Sequence, residues 1–369
     1  MKHILPLVVY TFLSLNSLAG EPNGFPIIAD ILHTEFYDAT RFRDIRDAGF
    51  NAILCRCETN EDVIKTLKLS EQYKLKMIVF CHPIMRHPKD IVPIIKDHPS
   101  LWQYYLADEP PMKRLKELQD IQQRIARYDS NAKCYINLLP NSGKQVLKYI
   151  GVEKYPDYLK AFSTVKQPQI SYDFYPVQGK TVRGDVWYKI LEDIREESHR
   201  TGRPFWAYIL CVPHFIYPMP TMGHLRLQCY ANLAYGAQGI QYFSYSTPAH
   251  YDQYDFHDGP LLRNGKKGVT YKLVKKMNAE LKPVASLFWQ SKVTEIEHRK
   301  CRDGKVIVSH FQKAGKRYTC FVNESADKDV TINLRHGEYA SRIRKDLKCE
   351  SMKTRYTLSA GDILIMRER

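Results

Sequence analysis

A chain of 369 residues is too long for one small core and suits a barrel of about 250 residues with a smaller module attached. Its 55 Lys and Arg outnumber 40 Asp and Glu, for a formal charge of +15 at pH 7, yet the cations are spread over helix faces such as residues 112–127. That spread favours a solvated surface over a nucleic-acid partner, and nine cysteines, odd in number and mostly inside apolar runs, read as buried free thiols instead of a disulfide framework.

Met1-Lys2-His3, the apolar run 4–15 and Ser17-Leu18-Ala19 have the basic start, short apolar centre and small-x-small end of a secretory signal peptide. Cleavage is expected after Ala19 or Gly20, giving an exported chain, periplasmic or secreted, with no membrane span, because no apolar run approaches roughly 18 residues.

From Phe25 onward, β-branched and aromatic runs alternate with stretches at helical spacing, the βαβ signature of a parallel sheet. Strands are predicted at 26–29, 51–56, 76–81, 102–107, 133–138, 169–172, 205–211 and 239–245, with helices at 40–48, 62–73, 112–128, 186–201 and 222–235. Eight alternations fit a closed (β/α)8 TIM barrel better than an open doubly wound sheet. No Gly-rich phosphate loop follows the first strand, which argues against a dinucleotide. Cys55-x-Cys57 is one residue short of zinc-knuckle spacing and has no second pair, so neither metal nor cofactor is expected.

After a helix predicted at 271–281, alternating runs at 306–311, 318–322, 330–334 and 362–366, with Asp303-Gly304, Ala314-Gly315 and Ala360-Gly361 between them, indicate a small C-terminal antiparallel β domain. The predicted division is a signal peptide over 1–20, a barrel over 21–290 and a β-sandwich-like accessory domain over 291–369.

In a barrel, polar residues just past the strands gather at one mouth. Asp30, Arg56 with Glu58, His82, Asp108 and Glu109, Asn137, Asp173 and Tyr175, Tyr208 and His214, and Tyr245 follow the successive strands. Paired carboxyl groups among aromatic faces suit sugar rings, whose C–H faces stack and whose glycosidic oxygen needs a proton.

Asp108-Glu109-Pro110 after strand 4, residues 234–243 leading into strand 8, and the β module behind them resemble the barrel glycoside hydrolases of the retaining β-glycosidase clan, near the family 42 β-galactosidase-like proteins. That clan has Asn-Glu-Pro after strand 4, so the resemblance implies that Glu109 is the general acid/base. Members also carry a nucleophilic Glu at the end of strand 7, where this chain has none; Asp173 is the expected replacement. A second resemblance, to substrate-assisted N-acetylhexosaminidases of families 20 and 123, implies Asp108 and Glu109 as the working pair, with Tyr175 or Tyr208 donating to the acetamido oxygen.

The expectation is therefore an exported glycoside hydrolase acting on oligo- or polysaccharides. Glu109, Asp173 and Asp108 are its candidate catalytic residues, and Asp30, Arg56, His82, Asn137, Tyr175, Trp206, Tyr208 and Tyr245 its candidate sugar contacts. Blander roles stand beside these: a helix cap for Asp108, an ion pair to Glu58 or Asp30 for Arg56, loop hydrogen bonds for His82 and His214, and barrel filling for Trp206 and Tyr245. The group His250, Asp252, Asp255, His257 and Asp258 reads as a solvated loop before it reads as a cation site. A carbohydrate-binding barrel without catalysis is the alternative of a different class.

Overall fold

The structure, a computed structural model, describes residue 22 and residues 24–250 and 252–369; the expected export segment over residues 1–20 lies outside them. Eight parallel strands follow one another around a closed barrel: β1 (Ile27–Leu32), β2 (Ala52–Cys57), β3 (Lys76–Cys81), β4 (Leu101–Asp108), β5 (Cys134–Leu138), β6 (Ile170–Tyr172), β7 (Phe205–Leu210) and β8 (Ile240–Phe243). The ring closes where β8 pairs with β1, Ile27 against Ile240 and Ile28 against Gln241. This is the (β/α)8 barrel, followed by an antiparallel β unit.

The strands are covered on both faces, so successive side chains alternate between the barrel interior and the helix layer. Ile28, Leu54, Ile78, Trp102, Tyr135 and Trp206 fill the interior. Their neighbours Ile27, Ile53, Met77 and Ala207 join the larger core under the helices. Those helices include α1 (Ala39–Asp47), α2 (Asn60–Gln72), α3 (Leu115–Ala126), α4 (Tyr155–Phe162), α5 (Gly184–Thr201), α6 (Met222–Ala234) and α7 (Val269–Phe288). Several starts are written in capping residues: Asp38 accepts from the Arg41 N–H, Thr59 and Asp62 form a capping box, and Thr221 accepts from the His224 N–H. The last helix outruns its prediction, passing through Pro283 to Phe288, because Val284, Ala285 and Phe288 are wholly buried and burial outweighs the proline's poor propensity.

Beyond the barrel come β9 (Lys292–Lys300), β10 (Lys305–Lys313), β11 (Lys316–Asn323), β12 (Val330–Asn333), β13 (Ser341–Ile343), β14 (Cys349–Glu350), β15 (Arg355–Leu358) and β16 (Ile363–Arg367). Six form one sheet in the order β9-β10-β11-β16-β13-β14, and β12 pairs with β15. Alternation divides the six-stranded sheet between two cores. Val306, Val308, Phe321 and Leu364 pack against Ile332 and Tyr356, whereas Ile307, Cys320, Val322 and Ile365 face the barrel's own core. The approach of α6 is close enough that a Cβ added at Gly223 would stand 2.2 Å from the Ala326 carbonyl oxygen. Arg226 and Lys345 converge on Glu280 at 2.8 Å each, tying α6, α7 and the β unit together.

All nine cysteines are free, and seven of them are buried. No helix among the described residues is long and apolar enough to cross a membrane.

Two expected sugar contacts are corrected by the alternation. Trp206 points inward, but two residues below the mouth, where it meets Trp102 at a ring separation of 4.8 Å and is only 4% exposed. Tyr245 falls outside the barrel because β8 ends at Phe243; its ring packs edge-on against Phe50 at 5.7 Å, and it is 1% exposed. Both fill the core. Replacing Trp206 by Ala should therefore cost about 3–5 kcal/mol of stability, read as a large fall in the urea midpoint. An unchanged midpoint would return Trp206 to the mouth.

Candidate functional site

The C-terminal ends of the barrel strands open into a cavity of about 970 Å³. Asp30 from β1, Asp108 and Glu109 from β4, Asn137 from β5, Asp173 and Tyr175 after β6, and Tyr208 and His214 from β7 and its loop all line it, as do Arg56 and His82. The barrel thus brings together all the expected site residues apart from Trp206 and Tyr245.

The backbone at Glu109 explains how two consecutive acids reach one cavity. Side chains alternate along a strand, so Asp108 and Glu109 would ordinarily face opposite ways. Glu109 instead adopts φ +44°, a left-handed conformation uncommon for a non-glycine residue, and its N–H bonds the Asn137 carbonyl oxygen at 2.9 Å. Pro110 then ends the ladder. Asp108 is not a helix cap, since the turn that follows starts at Met112 with Pro111 before it and no side-chain cap.

A relay of polar side chains rises through the interior to the acids. The Tyr135 hydroxyl donates to Gln241 Oε1 at 2.7 Å, and Gln241 Nε2 donates to Ser171 Oγ at 2.8 Å. Ser171 Oγ donates to Asn137 Oδ1 at 2.9 Å, which turns the Asn137 amide nitrogen toward Asp173 Oδ1 at 2.7 Å and Asp108 Oδ1 at 3.2 Å. Tyr135, Ser171 and Gln241 were not among the expected site residues. Their signal was a polar group inside a strand buried on both faces.

Asp30, Asp108, Glu109 and Asp173 share this mouth, and none of these four has a cationic partner within 4.0 Å among the described residues. Burial raises the Asp30 carboxyl well above its usual range and the charge of Asp108 adds to it, against a hydrogen bond from Tyr208. Asp108 is open to the cavity yet ringed by protein; burial lifts it, and bonds from Asn137 and Tyr105 oppose the lift. Glu109 is driven strongly upward by burial and then by the charges of Asp173 and Asp108. Asp173 is raised by burial and Asp108, and it accepts hydrogen bonds from Asn137 and from the Glu109 carboxyl. Burial and mutual repulsion thus favour a proton on the Glu109–Asp173 pair, with the larger push at Glu109.

Aromatic side chains line the same cavity. Tyr175 stacks on Phe243 at 5.9 Å and 20°, and His214 lies 4.2 Å from Phe256. Phe243 and Phe256 escaped the sequence reading. Phe243 shares the inward face of β8 with Gln241 and became visible once the strand end moved back from residue 245; Phe256 comes from a loop with no periodic signal. His214 is held by a 3.1 Å contact from Nδ1 to the Val212 carbonyl oxygen, the loop role foreseen for it. In the loop after β8, Asp255 accepts from the Phe215 N–H at 2.7 Å and His257 contacts Asp258 at 2.9 Å. Among the described residues no group of three or more His, Cys, Asp or Glu is placed to hold a metal ion.

The raised carboxyls fix the sign of a stability effect. Their folded values lie above the unfolded ones near 4, so the native state binds the extra protons and loses stability as pH rises above about 4. Glu109→Gln removes one such penalty. Its melting temperature should match wild type near pH 4 and exceed it by at least about 2–4 °C at pH 8, measured by calorimetry across pH. A constant difference at every pH would refute the raised Glu109.

No family model and no curated protein sequence matches the chain. Among solved structures, it superposes on a β-galactosidase from Bacillus circulans sp. alkalophilus with TM-score 0.63 at 9% identity, over 94% of this chain and 99% of that one. A family 42 β-galactosidase from G. stearothermophilus gives TM-score 0.65 at 7% identity, over 94% and 98%. A family 30 subfamily 8 xylanase from Clostridium acetobutylicum gives 0.52 at 9% identity, over 95% and 98%. At these identities the likeness is one of fold: this chain has the barrel architecture on which those glycoside hydrolases are built.

Proposed function

We propose that the chain is an exported glycoside hydrolase in which Glu109 protonates the departing glycosidic oxygen. The observation that carries this reading is the placement of Glu109 beside Asp173 and Asp108 at the barrel mouth, where burial and those charges raise its carboxyl, in a cavity also lined by Tyr175, Phe243 and Phe256 and large enough for a short glycan. A carboxyl group that keeps its proton at neutral pH is what a general acid requires. The basic start, apolar run and small-residue end of residues 1–20 support export.

The Glu109–Asp173 contact also sorts the remaining acids. Retaining pairs stand about 5–5.5 Å apart and inverting pairs about 6.5–9.5 Å, so two carboxyl groups in direct hydrogen bond are too close to flank a glycosidic bond. Asp173 is then the group that keeps Glu109 protonated and oriented, and Asp108 is the second carboxylate, steadied by Asn137 and Tyr105. This favours one further reading, in which Asp108 orients a 2-acetamido group of the substrate whose carbonyl oxygen attacks the anomeric carbon. The Tyr208 hydroxyl is engaged with Asp30, which leaves Tyr175 as the donor to that acetamido oxygen.

Chromogenic glycosides, including a β-galactoside and a β-N-acetylhexosaminide, test both. Glu109→Gln should lower kcat by about 10²–10⁴-fold on the preferred sugar while folding normally. Undiminished turnover would end the acid role. Preference for the acetamido sugar selects the substrate-assisted route.

The working form has Glu109 protonated and Asp108 ionised, so activity falls on the acid side as Asp108 takes a proton and on the alkaline side as Glu109 loses one. Asn137→Ala deletes a hydrogen bond that lowers Asp108 and should shift the acid limb of kcat/KM to higher pH, with a fall in rate. An unmoved acid limb would mean that another group sets it.

A further inference from the structure

Asp30 on β1 and Asp108 with Glu109 on β4 flank the ends of β2 and β3; between them, where α3 begins, the cavity lining is rich in arginine. Arg56, Arg86, Arg114 and Arg124 form part of it. Two of these have partners: Arg114 forms a bidentate pair with Glu117, both contacts at 2.9 Å, and Arg124 donates to the Met85 carbonyl oxygen at 3.0 Å. Arg56 and Arg86 are exposed to the cavity, and among the described residues no carboxylate lies within 4.0 Å of either guanidinium. The pair expected between Arg56 and Glu58 or Asp30 does not form. Burial pushes the neighbouring His33 toward its neutral form; the charges of Glu35 and Glu58 oppose this and that of Arg56 adds to it.

Arg56 is nonetheless held in place. Its guanidinium carbon lies over the Phe80 ring at 5.5 Å from the centroid, and Phe80 meets Tyr105 edge-on at 5.4 Å. Tyr105 in turn hydrogen-bonds Asp108. A guanidinium with no carboxylate within 4.0 Å among the described residues therefore stands two rings away from the reacting acids, in the same cavity. Stacked Arg presents a planar fork of donors that matches the oxygens of a carboxylate or a sulfate.

We propose that this arm of the cavity is an anion subsite, and that the glycan bound there carries a carboxylate or a sulfate ester on the sugar lodged against Arg56 and Arg86. The glycan class rests on the hydrolase reading of the same cavity, whereas the subsite is tested by binding, without turnover.

Titration calorimetry on the full chain would compare the methyl β-glycosides of glucose, glucuronic acid and glucose 6-sulfate, with the galactose series beside them. At least one anionic sugar should bind about tenfold or more tightly than its neutral counterpart, and the advantage should shrink on raising salt to about 0.5 M. Arg56→Ala should remove most of the advantage, Arg56→Lys should restore part of it, and Arg86→Ala should reduce it; melting temperatures confirm that each variant is folded. A preference for the uronates identifies a carboxylate and a preference for the sulfates an ester. The subsite is overturned if neutral sugars bind as tightly as both anions, or if the double variant Arg56→Ala, Arg86→Ala keeps the discrimination. Anion binding without hydrolysis of the matching chromogenic glycosides would instead strike the hydrolase reading and leave the subsite standing.

Discussion

Which way the Asn137 carboxamide points decides the character of the mouth. Its oxygen is claimed from below by the Ser171 hydroxyl, so its nitrogen must face Asp173 and Asp108. Turned the other way, it would set a carbonyl oxygen against two carboxyl groups in a poorly hydrated site, and each lost charge-assisted bond is worth about 1.5–3 kcal/mol. The orientation is inherited from the barrel interior, because Gln241, which orders Ser171, sits on β8 at the seam where that strand pairs with β1. Closing the ring and preparing the acids are one event.

Much of this was legible from the chain and some was not, for identifiable reasons. Strands buried on both faces leave unbroken apolar runs, so all eight could be found, and the first polar residues beyond them supplied most of the mouth. Strand ends were softer: two residues too many on β8 sent attention to Tyr245 when the ring at the mouth is Phe243. Trp206 was drawn to the mouth by its chemistry, though its distance from the strand end places it in the interior layer. The left-handed turn at Glu109 has no signature in residue type. Neither does the contact between Glu109 and Asp173, which joins loops 64 positions apart and depends on the barrel being closed.

The β unit behaves in the same way. Four of its strands were evident as apolar runs, but β13, β14 and β15, of two to four residues, were too short to read, and β9 (Lys292–Lys300) was hidden because only Val293 in it is buried. It lies at the sheet edge, where charged side chains discourage pairing with another chain, and an edge strand so protected loses the periodicity by which strands are recognised. The neighbouring strands are read easily because both faces of their sheet are covered, one by β12 and β15 and the other by the barrel.

The seven buried thiols bear on how this protein would die. Folded, they are shielded and their acidity is suppressed by burial, as at Cys57 and Cys134, so oxidants find little thiolate to attack. Unfolded in an oxidising medium, the same chain offers nine sulfurs with no native pairing to guide them. Any bridge they form is wrong, and refolding from it is blocked until it is reduced. Its lifetime outside a reducing environment is thus set by how rarely the barrel opens, a kinetic barrier instead of an equilibrium.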